Sequence, residues 1–163
     1  MSAPTQTFNT PLEAGLRALF LLTAADKRSL DIQHLMYFDY AMVHTGDFDG
    51  PQSLHPTTPS QGSQLLVRRA LIQEGLELMR SRDLVERRFL AAGIRWRVTP
   101  VGHHVAAQFT TEYAARLRAR AEWVLGSLGK STDAALADLF TGRARLLEDE
   151  LIAAHATKGM PRA

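Results

Sequence analysis

Residues 84–105, LVERRFLAAGIRWRVTPVGHHV, decide how this chain is read. Ile94, Trp96 and Val98 alternate with Arg95, Arg97 and Thr99, the period of two that sends one set of side chains to a core and the other to water. Upstream, Val85 and Phe89 fall on one face of a first strand, Glu86 and Arg88 on the other. Ala91-Ala92-Gly93 joins the strands, and Gly93 can take the positive φ that a short hairpin needs. Thr99-Pro100 then opens a helix, with Thr99 as cap and Pro100 in the first turn. An apolar-rich helix ending at Met79 runs straight into the hairpin. Helix, two-stranded wing, capped helix is the order of a winged helix-turn-helix domain. The fold class expected is mainly α with a small β-hairpin.

Working outward, Thr10-Pro11-Leu12-Glu13 predicts a helix start with a capping box, and Leu12, Leu16, Leu19 and Phe20 carry the helix to about residue 24. Ser29 is expected to cap a second helix through Ile32, Leu35, Met36, Met42 and Val43, ending near His44. TGDFDGPQSLHPTTPSQG at 45–62 holds three prolines and three glycines and predicts a long loop. A third helix is expected over 63–82. Gly75 in its middle costs about 1 kcal/mol against Ala, which points to a close packing contact. After the wing, a fourth helix is expected from 100 to about 125, with Val101, Val105, Phe109, Tyr113, Leu117 and Val124 inward. A break at 126–130 leads to a helical pair at 132–140 and 143–155. The divisions expected are an arm at 1–9, a winged-helix domain at 10–125 with its wing at 84–99, a C-terminal helical hairpin at 126–155, and a tail at 156–163.

The 163 residues suffice for one domain with its own core. The absence of cysteine excludes disulfides, thiol catalysis and cysteine-based zinc sites. The longest apolar run, residues 18–22, is far too short to cross a bilayer, and MSAPTQTF lacks the features of a signal peptide. A soluble cytoplasmic protein is expected. The formal charge of +2 is unevenly placed. Residues 1–65 carry three basic and six acidic side chains, 66–120 carry eleven and five, and 121–163 carry five and six. The positive field therefore sits on and around the wing.

Motifs that suggest chemistry fail on inspection. Gly129-Lys130-Ser131 invites a phosphate-binding loop, but Val124 stands where the first glycine belongs, and a helix precedes it rather than a strand. Asp39, His44, Asp47, Asp49 and His55 cluster along the chain without the His spacing of zinc motifs. His103 and His104 are adjacent, hence about 100° apart on a helix, and do not easily share an ion. No nucleophile–base order stands out. No metal, no cofactor and no enzymatic activity is expected.

The arginines do have a physical role available. Arg68, Arg69, Arg87, Arg88, Arg95 and Arg97 form a candidate surface for a DNA backbone or for an acidic protein. The plainer reading is a solvated face paired with Glu74, Glu77 and Glu86.

FNTPLEAGLRAL at 8–19, LDIQHLMYFDYAMVHTGDFDGPQSLHP at 30–56, LLVRRALIQEGLELM at 65–79 and the wing together resemble the middle component of bacterial ABC-three-component systems. HTGDFDGPQSLHP is the most specific part, because a general winged helix has no need of it. The resemblance implies a winged-helix accessory subunit of an SMC/Rad50-like ATPase, acting beside an effector in Lamassu-type defence against phage or plasmid DNA. It supplies no catalytic residues. It also implies that the acidic, proline-rich loop faces a protein, since phosphate would repel Asp47 and Asp49. The partner-binding candidates are Tyr37, Tyr40, His44, Asp47, Phe48, Asp49, Leu54 and His55. The alternative is a winged-helix transcription regulator that forms a homodimer through the fourth helix and the C-terminal helices.

Overall fold

The computed structural model describes residues 10–56 and 61–158; within these, the side chains of 61–66, 144, 147, 148, 151 and 154–158 are not described. The expected arm at 1–9, the end of the expected loop at 57–60 and the tail beyond 158 lie outside the described residues. Among those described are six α-helices and one antiparallel hairpin.

Helix α1, Pro11–Ala25, starts as expected. The Thr10 hydroxyl accepts from the Glu13 amide at 3.2 Å, and the Glu13 carboxylate accepts from the Thr10 amide at 3.2 Å. From Ala14 to Leu22 almost every α1 side chain except Leu16 is buried, so α1 is the central rod of the fold. It packs against α3 (Gln61–Ser81) and α5 (Glu112–Leu128), and less extensively against α2 (Ile32–Val43). Gly15 and Gly75 set the α1–α3 crossing: a Cβ on Gly75 would lie 2.4 Å from the Gly15 nitrogen. That is the close contact expected from a mid-helix glycine.

Helix α2 does not begin at Ser29. The Leu30 amide donates to the Trp96 carbonyl at 2.9 Å, and the Trp96 amide donates back at 2.7 Å. That bridge holds Leu30 extended, so the cap passes to Asp31, whose carboxylate accepts from the His34 amide at 2.8 Å. Ser29 instead accepts from Arg95.

The hairpin pairs β1 (Val85–Leu90) with β2 (Gly93–Val98), in register from Val85 opposite Val98 to Leu90 opposite Gly93. Gly93 has φ of 119°, as the short connection requires. Val85, Trp96 and Val98 are buried, but Phe89 at 72% and Ile94 at 48% exposure lie on the same face beyond the edge of the core. At the base, the Thr99 hydroxyl donates to the Asp83 carbonyl at 2.6 Å and accepts from the Gly102 amide at 2.9 Å, tying the hairpin to α4 (Pro100–Gln108).

Three expected elements differ. The long fourth helix is two, α4 and α5, because Thr111 caps a new start by accepting from the Ala114 amide at 3.1 Å. Arg118 closes the preceding end by donating to the carbonyls of Ala106 and Phe109. Val101 and Tyr113, expected inward, are 53% and 41% exposed. The expected C-terminal pair is one helix, α6, Asp133–Lys158. Gly142 does not end it, and the Thr141 hydroxyl is satisfied within the helix by the Ala137 carbonyl at 2.8 Å. Residues 45–56 are not a structureless loop either. Thr45–Phe48 forms a 3-10 turn, and the amides of Leu54 and His55 are bonded back to the end of α2.

Candidate functional site

The HTGDFDGPQSLHP segment builds a clamp. The Val43 carbonyl, left open at the end of α2, accepts from the amides of both Leu54 and His55 at 3.0 Å. The Thr45 hydroxyl donates to the Pro51 carbonyl at 2.6 Å, and the Gly46 amide donates to the Ser53 hydroxyl at 3.0 Å. Asp49 sits in the left-handed region at φ of 58°. Gly50 lies under the Trp123 ring, where a Cβ would come within 2.5 Å of it. Arg120 of α5 donates to the Gln52 carbonyl at 2.8 Å, and Arg143 of α6 reaches Asp49 at 3.5 Å. Phe48 packs on Phe140 with ring centroids 5.0 Å apart. The segment therefore fastens α2 to α5 and α6.

Beneath it lies a buried charge network. The Arg17 Nε donates to Asp39 Oδ1 at 2.6 Å and its Nη2 to Oδ2 at 3.2 Å, and Arg68 donates to the same carboxylate from α3. One carboxylate thus ties three helices. Burial alone would raise the Asp39 pKa, but the two guanidiniums outweigh it and hold the carboxyl below its usual range. Burial also works against the Arg17 charge, yet Asp39 outweighs it and raises the guanidinium pKa. Arg68 lies 5.3 Å from the Tyr40 ring centroid, and that ring meets His44 at 4.4 Å. His44 is pushed down to about 4, first by burial and then by Arg68, so it is neutral at neutral pH. His55, hydrogen-bonded to the Tyr113 hydroxyl at 2.9 Å, is lowered by burial and by Arg17, while burial raises Tyr113. Among the described residues, His44 Nδ1 and Arg68 Nε are buried without a hydrogen-bond partner.

The partner-binding candidates divide accordingly. Tyr37, Tyr40 and His44 are core residues. Asp47, Phe48, Leu54 and His55 are half-buried, and Asp49 is exposed. The five residues weighed as metal ligands do not converge, since Asp39 is held by Arg17 and Arg68. Among the described residues, the potential ligand atoms that do converge belong to Asp31, His34 and Asp133. There His34 Nδ1 lies 2.9 Å from Asp31 and 3.2 Å from Asp133, linking the starts of α2 and α6.

The arginine candidates divide too. Arg68 belongs to the interior network, and Arg69 donates to Gln33 at 3.1 Å. Arg87 lies on the apolar face of the hairpin, opposite Trp96. It pairs with Glu77 at 2.9 Å and covers the Phe89 ring at 5.2 Å. Arg88, Arg95 and Arg97 share the other face. Arg95 donates to the Ser29 carbonyl at 2.7 Å and lies 3.7 Å from Asp31. Arg88 has only a 3.9 Å approach to Glu86. Arg97 forms no hydrogen bond or ion pair among the described residues. An open cleft of about 400 Å³ runs between the end of α3 and β1, lined by Arg80, Asp83, Val85, Glu86, Arg87, Phe89 and Thr99.

Sequence reasoning missed the Arg17–Asp39 pair. Its signal was Arg17 standing alone in the apolar stretch AGLRALFLL, a position that needs a buried partner. It also missed Arg120 and Arg143, whose roles depend on contacts remote in the chain.

These features define a helical domain braced by an internal Arg–Asp–Arg network and carrying a hairpin with an apolar, arginine-flanked end. The chain belongs to the family described as ABC-three component (ABC-3C) system Middle Component 2, whose model matches residues 7–150. A middle component of a three-component system has protein partners. No curated protein and no solved structure matches the chain. No helix among the described residues is long and apolar enough to cross a membrane.

Proposed function

We propose that this chain is a non-enzymatic, winged-helix accessory subunit. It bridges an SMC/Rad50-like ATPase and an effector in a Lamassu-type defence complex against phage or plasmid DNA. The observation that carries the reading is the end of the hairpin. Phe89 is 72% exposed, its cross-strand partner Ile94 48% and Leu90 45%, with Arg87 and Arg88 beside them. Large apolar side chains gathered at one exposed place mark a protein contact. The order α1, Leu30 bridge, α2, α3, β1, β2 supports the winged-helix assignment, with Leu30 as a one-residue first strand. The clamp at 43–56 holds the helical body that presents the hairpin, and its most exposed acid, Asp49, is available to a partner.

Contact with a DNA backbone falls to Arg88 and Arg97, because Arg68, Arg69, Arg87 and Arg95 are hydrogen-bonded within the chain. That weighs against the transcription-regulator alternative. A regulator reading bases with α3 would present the outer face of that helix, where Glu74 is exposed and Glu77 half-buried. The test is co-purification with an SMC/Rad50-like ATPase from the native host. Phe89→Asp together with Ile94→Asp, in a protein that keeps its helical circular dichroism, should abolish recovery of the ATPase. Undiminished recovery would remove the hairpin from the docking surface.

A further inference from the structure

The middle of α6 carries side chains that no other described residue covers. Its first half is anchored by Leu136 and Phe140, both buried. Between them Leu139 is 37% exposed, and beyond them Leu146 is 55% exposed. Leu139 and Leu146 are seven residues apart and share one stripe of the helix, within about 20° at roughly 100° per residue. Arg143 and Glu150, also seven apart, flank that stripe on one side. Arg145 and Asp149 flank it on the other. Arg145, Asp149 and Glu150 are exposed, and Arg143 is half-buried with a 3.5 Å approach to Asp49.

This arrangement has a direction. Each flank is basic on the N-terminal side of Leu146 and acidic on the C-terminal side. When two such helices lie antiparallel, each flank meets the same flank of its partner, with the order reversed. Arg145 then faces Asp149 of the other copy, and Arg143 faces Glu150. Both pairings centre the contact within one residue of Leu146, so Leu146 meets Leu146 of the other copy where the charges match. A parallel alignment would set each arginine level with its own counterpart and each acid level with an acid. Flanking charges set orientation in paired helices in this way.

We propose that two copies of this chain associate through antiparallel pairing of the second half of α6, with Leu146 at the two-fold axis. The contact is isologous, so each favourable pair occurs twice. Two short helix segments form a contact at the small end of specific interfaces, about 1,000 Å², the class of weak and transient associations.

The absence of cysteine makes the test direct. In the full chain, Leu146→Cys should cross-link to a dimer under mild oxidation. Val67→Cys, at a site of similar exposure on α3, should not. In sedimentation equilibrium Arg145→Glu should weaken the dimer about tenfold, from two lost pairs and the repulsion that replaces them. Adding Asp149→Arg should restore it. Circular dichroism checks that each variant keeps its helix content. Three results would overturn the proposal: a wild-type chain that stays monomeric at high micromolar concentration, equal cross-linking of the two cysteine variants, or a double variant no tighter than Arg145→Glu.

Discussion

Arg17 and Asp39, one on α1 and the other on α2, meet in the interior as a two-bond fork, at 2.6 and 3.2 Å. Arg68 completes the network from α3. Helix packing alone leaves neighbouring rods free to slide by a turn; a shared carboxylate removes that freedom, because only one alignment satisfies all three groups. Asp39→Ala would leave two guanidiniums without their carboxylate. Breaking a buried pair from one side costs about 3–5 kcal/mol. Urea unfolding of Asp39→Ala should show a loss of that order, and an unchanged midpoint would mean that the network contributes nothing.

Gly75 permits the α1–α3 crossing. A Cβ there would lie 2.4 Å from the Gly15 nitrogen and 2.6 Å from the Pro11 carbonyl oxygen, both backbone atoms that cannot step aside. Gly75→Ala improves helix propensity by about 1 kcal/mol, but the overpacking costs about 1–3 kcal/mol and wins. The variant should melt below the wild type. An equally helix-favouring Gly142→Ala, with open space around its Cβ, should melt at or above it.

His44 makes stability depend on pH. Its folded pKa of about 4 lies below the ordinary 6.5, so between those values the unfolded chain binds the extra proton. Its contribution is fully present above pH 6.5 and is lost as pH falls from 6.5 through 4. His55 is lowered too and acts in the same direction. Denaturant unfolding at about pH 4.5, inside that window, and at about pH 7.5, above it, should show stability rising with pH. His44→Leu should flatten the rise. A variant with the same slope as wild type would assign the effect to other groups.

On the hairpin, Arg88 and Arg97 are the cations that the proposed function sets against DNA. The double variant Arg88→Glu, Arg97→Glu should bind duplex DNA more weakly, with the salt slope reduced by about two. Arg95→Glu should act chiefly on stability, because it leaves the Ser29 carbonyl and Asp31 without their donor. If Arg95→Glu reduced DNA binding in a fully folded protein, Arg95 would belong to the contact surface as well.

What the sequence made legible was governed by neighbours in the chain. The capping box at Thr10, the alternation from Ile94 to Val98 and the turn at Gly93 are local, and each formed where its pattern placed it. Gly75 announced a close contact because its cost inside a helix needs a return elsewhere. Ser29 was misjudged because the bridge from Leu30 to Trp96, 66 residues on, outweighs a capping preference. Thr110-Thr111 broke a helix whose apolar spacing continued across it, and Gly142 failed to break one. Caps and breakers shift local preferences by about 1 kcal/mol, and packing decides between them. The loop motif was legible as special but not as a clamp, because its partners Trp123, Arg120, Phe140 and Arg143 come about 70–100 residues later, beyond any local pattern.

As proposed, the chain joins two other proteins without performing chemistry of its own. The most direct measurement is a pull-down on a tagged effector from cells that also express the ATPase, with and without this chain, after nuclease treatment. The ATPase should be recovered with the effector only when this chain is present. Equal recovery of the ATPase in its absence would contradict it.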